Sequence, residues 1–505
     1  MNSFFKNLLW VFCVLLFTAS MNAQAQSNQD TLRARVLKTL GDLREFIAIP
    51  NDATKPDDIQ ANLRWLTRKF AALGFNTTIL QTETVPSFFA TAPQKPDLPT
   101  VLFYMHLDGQ AVDASKWQQE NPYKLSLKKP TDNGFEEIPF ERLNSEINKE
   151  WRVFGRSVSD DKGPIVMFLN ALEWIRQSDI SIPYNIKVIL DGEEEQSSPS
   201  LANLVKTYKE LLEADVLIIN DGPMHESQQP TLVFGARGIT TVTLTTFGPY
   251  KPLHSGHYGN YIPNPNFIMA RALTSLKDKN GKVLIPSFYD GITLDDETKS
   301  LLKEFPVNQA KMLADLGVAK PETVGDTYQE SLQFPSLNVR GMQSAWVGDD
   351  ARTVIPDKTI AEIDIRLVPE SDGKRLLELF KKHLQNQGFY ITENEPTVEE
   401  RQKYPDILRF ETGSIMPAFR TPIDNPYTTW LTQVLNQHSD EKVIKVRISG
   451  GTVPIAPFVN ELKIPAITLP MVNPDNNQHS PNENLKLENV YFGVQTFYQL
   501  LQTKM

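Results

Sequence analysis

The chain has 505 residues, 40% hydrophobic and 22% charged, with a formal net charge of −10. That length exceeds one small domain, and the balance is that of a soluble globular protein. An acidic chain with no basic block excludes nucleic acid as the partner. A single cysteine, Cys13, excludes a disulfide framework.

The first residues read as a signal peptide: Lys6 supplies a positive start, Leu8–Ala19 an apolar core, and Ala23-Gln24-Ala25 a small-x-small cleavage site. The apolar run is too short to span a membrane. The expectation is a periplasmic or secreted protein, cut after Ala25, with no stable membrane anchor. Cys13 lies inside the apolar core rather than after it, which speaks against lipid modification. A mature chain without cysteine must build any metal site from His, Asp and Glu.

Helical spacing of Leu32, Val36, Leu40, Leu43 and Phe46 predicts a helix over Asp30–Ile47, ending before Pro50. Ile59–Leu73 repeats the pattern and Asn76–Gln81 reads as a strand. Three short apolar runs then read as buried strands: Pro99–Tyr104, Ile186–Leu190 and Val216–Ile219. Helical segments at Pro164–Ser178 and Ser200–Leu212 lie between them. This alternation predicts an α/β fold with a mostly parallel sheet, whose ligands gather at the carboxyl ends of the strands. His106, Glu194, Glu195 and Asp221 fall there.

Beyond Gly235–Gly238 the texture changes. Thr240–Thr246 and Thr359–Val368 read as strands, Asn266–Leu276 and Gly373–Gln387 as helices, and Leu294–Leu316 as a charged helical excursion. A separate α+β domain is expected here. The α/β character resumes with Tyr427–Gln437, Ala466–Leu469 and a last helix, Leu487–Gln502. The expected division is a leader at 1–25, a catalytic domain at 26–235 and 414–505, and an inserted domain at 236–413.

The chemistry sits in short polar stretches. In Phe154–Gly163 (FGRSVSDDKG), two adjacent carboxylates, Asp160 and Asp161, precede a Lys-Gly-Pro turn. A lone acidic pair at a helix start is usually a solvated cap. Here it has company: His106 with Asp108 two residues on, the acidic run Glu193–Glu195, Asp221, and His479 in a polar loop. Imidazoles and carboxylates are the donors of a dinuclear zinc site, in which one carboxylate bridges two cations. Asp160 is the bridging candidate. Asp108 can fix the tautomer of His106. One of Glu194 and Glu195 can bind metal while its neighbour moves a proton. His257 reads as a surface histidine; His225, just past Asp221, lies near the candidate site and is assigned no role.

HLD at 106–108, GRSVSDDKG at 155–163, DGEEEQSSPSL at 191–201, NDG at 220–222, LHSGHYGN at 253–260 and HSPNENL at 479–485 resemble, in order, one family. It is the co-catalytic zinc peptidases that include carnosinase, cytosolic non-specific dipeptidase, glutamate carboxypeptidase, aminoacylase and succinyl-diaminopimelate desuccinylase. TVIP at 353–356 and IRLVP at 365–369 are similar to the carnosinase and dipeptidase branch. The resemblance implies two Zn²⁺ per subunit, with Mn²⁺ or Co²⁺ as alternatives. One metal is held by His106, Asp160 and Asp221, the other by Asp160, Glu195 and His479. It implies Glu194 as general base to a metal-bridging water and Asp108 as the group that orients His106.

The inserted domain would be a dimerisation or lid domain, making a homodimer. Its His254 would reach the partner's active site and stabilise the oxyanion. Arg366 and Thr353, with Gly450, Gly451 and Thr452, would hold the substrate's terminal carboxylate. The implied activity is an exopeptidase acting on dipeptides or C-terminal residues of short peptides; the alternative is an N-acyl-amino-acid amidohydrolase. Four residues depart from the branch pattern: Asn260 replaces a second Gly, Arg447 stands one place early, Ser449 replaces an acid and Thr452 replaces Ser. They bear on substrate choice rather than on metal binding.

Overall fold

The computed structural model of the protein describes residues 29–505. The leader expected at 1–25 lies outside the described residues. The chain divides into two compact units. Among the described residues, one comprises 29–232 with Asp424–Ile444 and Asn460–Met505; the other comprises Val233–Ile423 and Lys445–Val459.

The fold is α/β. In the first unit, Asn76–Leu80, Ser87–Thr91, Asn185–Asp191, Thr100–His106, Val216–Ile219 and Ala466–Thr468 are successive neighbours in the main sheet. The centre is parallel: Thr100–His106 pairs in parallel with both Asn185–Asp191 and Val216–Ile219, and Ala466–Thr468 adds in parallel to the latter. The edge formed by the first two strands is antiparallel. Val101–Met105 is wholly buried, as a strand covered on both faces must be. Helix Lys162–Gln177 packs onto it through Phe168 and Phe103, with ring centroids 4.7 Å apart. The same helix meets the last helix, Leu487–Gln502, through Phe168 and Phe497 at 5.1 Å.

Three sequence expectations are revised. The Lys-Gly-Pro turn is the first turn of the helix Lys162–Gln177 rather than a separate loop. The helix expected over Ser200–Leu212 breaks at Tyr208 into Leu201–Thr207 and Lys209–Leu212. The excursion over Leu294–Leu316 is two helices, Asp296–Lys303 and Gln309–Asp315. Pro306 falls between them, and Asp295 and Asn308 cap them with their side chains. A four-stranded sheet in the order Asn484–Lys486, Arg152–Phe154, Ser126–Thr131, Gly134–Ile138 was not foreseen. Its strands are short, and two of them are rich in lysine or glutamate.

The second unit is built on a five-stranded sheet in the order Ser336–Gln343, Lys358–Leu367, Gly238–Phe247, Ile407–Thr412, Tyr390–Thr392. It is antiparallel except for the last pair. Lys358–Leu367 alternates between buried and more exposed residues, as a strand with one covered face does. Helices Pro265–Thr274 and Gly373–Asn386 supply that cover: Ile268, Met269, Leu376, Phe380 and Leu384 pack with Val242, Leu244, Ile363 and Ile365.

Candidate metal centre

The parallel strands of the first unit run the same way, so their carboxyl ends present polar residues on one side. His106 and Asp191 end neighbouring strands in register, and Asp221 follows the strand beside them. Asp160 lies just before the helix Lys162–Gln177, and the Asp160–Asp161 peptide is cis. Asp160 is where these segments converge. Its Oδ1 lies 2.8 Å from His106 Nε2, and its Oδ2 lies 3.0 Å from His479 Nε2. His479 Nε2 is also 3.1 Å from Glu195 Oε2. Two triads result: His106, Asp160 and Asp221, and Asp160, Glu195 and His479, each with donor atoms within 4.8 Å of one another.

Asp108 has two tasks. Its Oδ1 stands 3.3 Å from His106 Nδ1. Its two oxygens also accept the backbone N–H groups of Glu194 and Glu195, each at 3.1 Å. The second contact fixes the Glu194–Glu195 turn to the His106 strand, and sequence reasoning missed it. Asp161 is fully buried and accepts the backbone N–H of His106 at 3.1 Å, so it is no solvated cap. Gln110 donates to Glu195 at 2.8 Å.

Glu483, inside the HSPNENL motif, has a task that residue pattern alone does not assign. It is completely buried, and its carboxylate takes the N–H groups of Ser157, Ser159 and Asp160 at 2.8–3.1 Å and the guanidinium of Arg156 at 2.8 Å. It stands four residues after His479, so one side chain holds the Asp160 loop against the His479 loop. The available signal was a Glu inside a run of small and polar residues that leads into a buried strand. Lys162 is likewise buried; its Nζ donates to Phe46 O and Ile49 O at 2.9 and 2.6 Å.

The electrostatics follow from crowded carboxylates. Burial works against the Asp160 anion, but His106 and His479 hold its carboxyl well below the usual range. Burial pushes Asp221 up to about 6, aided by Asp160 and Glu195 and opposed by His106. Burial also pushes Asp108 up to about 6 against its hydrogen bond with His106. Glu194 is raised well above the carboxylate range by burial first, with His106 opposing and Asp221 and Asp160 adding to it. Hydrogen bonds to Asp160 and Glu195 raise His479 to about 10. The site is rich in negative charge and in oxygen and imidazole donors, a donor set that fits a divalent-metal centre. The buried Asp160 Oδ2 meets His479 Nε2 at 3.0 Å without the alignment of a hydrogen bond, an arrangement that fits a cation between them.

The remaining candidates belong to the second unit. His254 ends the two-residue strand Leu253–His254, which pairs with Val354–Ile355. Its Nδ1 accepts from Gly256 N–H at 3.0 Å, and Ser255 N–H donates to Thr353 O at 3.0 Å. His254 and Thr353 are both exposed. His257 is exposed, its ring centroid 4.7 Å from that of His254. Arg366 Nη1 donates to Thr452 Oγ1 at 2.7 Å. Gly450 and Gly451 immediately precede Thr452, and Gly451 O accepts the Arg237 N–H at 3.1 Å.

An α/β sheet with carboxylates and histidines converging beyond its strands defines a metallohydrolase. The chain belongs to peptidase family M20/M25/M40, whose model matches residues 102–503. It is 25% identical to the Cys-Gly metallodipeptidase of Saccharomyces cerevisiae, over 96% of this chain and 94% of that one. It is 26% identical to the β-Ala-His dipeptidase of Homo sapiens, over 82% of this chain and 76% of that one. A family M20 metallo-carboxypeptidase from Sulfolobus solfataricus superposes with a TM-score of 0.74 at 25% identity, covering 92% of this chain and 98% of that one. These relatives place the chain beside the carnosinase and dipeptidase branch.

The expected export is corrected by the same comparison. The relatives that the chain matches, the yeast Cys-Gly metallodipeptidase and the human β-Ala-His dipeptidase, give the export reading no support. The periplasmic or secreted reading is withdrawn.

Proposed function

We propose that the protein is a dinuclear zinc dipeptidase that also removes C-terminal residues from short peptides. The observation that carries this reading is Asp160: its two oxygens serve two separate triads, as a carboxylate shared by two cations must. His106, Asp160 and Asp221 would hold one ion, and Asp160, Glu195 and His479 the other. Zinc suits this donor set; Mn²⁺ and Co²⁺ are accommodated by the same ligands. When bound, such ions polarise a carbonyl and acidify water.

The protein's own residues do the rest. Glu194 is the general base, and its raised proton affinity suits a group that takes a proton and returns it to the leaving amine. Asp108 holds the His106 tautomer and, through two backbone hydrogen bonds, the position of Glu194. Arg366, with Thr353, Gly450, Gly451 and Thr452, receives the substrate's terminal carboxylate, for which a guanidinium fork is shaped. His254 donates to the developing oxyanion in the site of a second copy. The second unit is then the inserted dimerisation domain. Its exposed Tyr258, Tyr261, Phe267, Met342, Trp346 and Val347 support that assignment. The names of the relatives, Cys-Gly and β-Ala-His dipeptidase, favour dipeptides.

Purified protein loaded with zinc is expected to hydrolyse unmodified dipeptides faster than N-acetyl amino acids in parallel assays. Faster N-acyl turnover would replace this reading with that of a deacylase.

A further inference from the structure

Arg237 stands where no role has been assigned. It is 6% exposed, yet among the described residues no carboxylate forms an ion pair with it. Its Nη2 donates to two neutral acceptors, Phe334 O at 2.8 Å and Ser336 Oγ at 2.9 Å. Its Nε is buried without any partner. A buried guanidinium left unpaired is costly and calls for a counter-charge.

The strand register shows what lies beside it. Ser336, which Arg237 reaches, is the cross-strand partner of Arg366, and Ile239, two residues on from Arg237, is the partner of Arg366 on the other side. The backbone N–H of Arg237 is shared between Ser449 O and Gly451 O, at 3.3 and 3.1 Å. Arg237 therefore joins the Arg366 strand neighbourhood to the Gly450-Gly451-Thr452 segment. Asp364 is the carboxylate at hand, and it sits 3.7 Å from Arg366 Nε. Asp364 pairs with Arg366 and not with Arg237, so one carboxylate stands among two guanidiniums. Burial first, and the charge of Arg366 second, bring the Arg237 pKa down to about 10.

We infer that Arg237 is a positioning residue whose uncompensated charge, together with Arg366, selects substrates ending in a free carboxylate over those ending in an amide. The inference rests on the reading of Arg366 and Thr452 as the carboxylate pocket. An incoming carboxylate on Arg366 supplies the missing counter-charge to both guanidiniums. A C-terminal amide supplies none and leaves the two cations repelling one another.

The test compares a dipeptide with its C-terminal amide on the zinc-loaded enzyme, reading KM and kcat separately. If the amide is not turned over, its inhibition constant serves in place of KM. Arg237→Gln is expected to raise KM for the free acid about tenfold, the scale of one charge acting at several ångströms. It should leave kcat and the value for the amide nearly unchanged. Arg237→Lys should recover most of the loss. Ser336→Asp, which neutralises Arg237 without removing it, should reproduce the effect, and it carries the test if Arg237→Gln fails to fold. Equal losses on acid and amide, or Arg237→Lys as impaired as Arg237→Gln, would make Arg237 a structural clamp and overturn the inference. Arg366→Gln is measured alongside. If it leaves the preference for the acid intact, the pocket itself has been misread. If it abolishes the preference while Arg237→Gln does not, only the role of Arg237 fails.

Discussion

Asp160 and Asp161 are adjacent, joined by a cis peptide, and chemically unequal. Asp160 faces two imidazoles, whereas Asp161 turns away to the backbone of His106. Asp160→Ala is therefore expected to disturb both metal positions, and Asp161→Asn, which keeps an acceptor for that N–H, to leave two. Elemental analysis of dialysed protein decides; two retained metals in Asp160→Ala would remove it as the bridge. Glu194→Gln belongs to the same experiment, with two metals expected and a turnover loss of at least ~10²-fold. The side chains that the structure gathers were readable from sequence because each ends a strand or sits in a motif of polar residues. Glu483 and the second task of Asp108 were not. Apart from the Arg156 guanidinium on Glu483, these hydrogen bonds come from backbone N–H groups, which nearly every residue has, so no pattern of residue types announces them.

At the level of elements, the buried strands were visible as unbroken apolar runs, and the broken or short elements were not. Helix ends at Tyr208 and around Pro306 are set by local turn and capping interactions that periodicity does not register. The start of helix Lys162–Gln177 is tightly built: a Cβ on Gly163 would lie 2.2 Å from Val158 O. Gly163→Ala is expected to cost about 1–3 kcal/mol in urea unfolding, because the contact is with backbone and cannot swing away.

The same helix is tied to its neighbours by Asp42, in the helical residues 29–47. Asp42 accepts from Lys38 at 2.8 Å, from Lys69 at 2.7 Å and from Asn170 at 3.0 Å. Burial opposes its ionisation, yet these donors hold its pKa below the usual value of 3.8. The unfolded chain then binds the proton more readily, so this stabilisation is present above about pH 4 and fades as pH falls through the lower folded value. Asp42→Asn should flatten the acid limb of a stability-against-pH curve. An unchanged limb would show that the three donors add nothing beyond solvation.

For the whole molecule, the distribution of charge matters most. Asp108, Asp160, Asp161, Glu194, Glu195 and Asp221 converge on one region of the first unit, with two histidines among them. Burial and the neighbouring carboxylates drive Asp221 and Asp108 up to about 6, so this region binds protons readily. Metal binding has to displace those protons, so it should release acid and weaken as pH falls below about 6. It should also stabilise the site against local opening, by about 2.7 kcal/mol at a free metal concentration of 100 times Kd. The gain should be local. Hydrogen exchange after zinc is added to chelator-stripped protein is expected to slow in residues 106–108, 157–163, 193–196, 219–222 and 476–484. The strand Lys358–Leu367, which belongs to the other unit, should exchange as before. Uniform slowing throughout the chain would mean that zinc acts on global stability or on association rather than through these ligands. No slowing at either histidine segment would remove the dinuclear assignment.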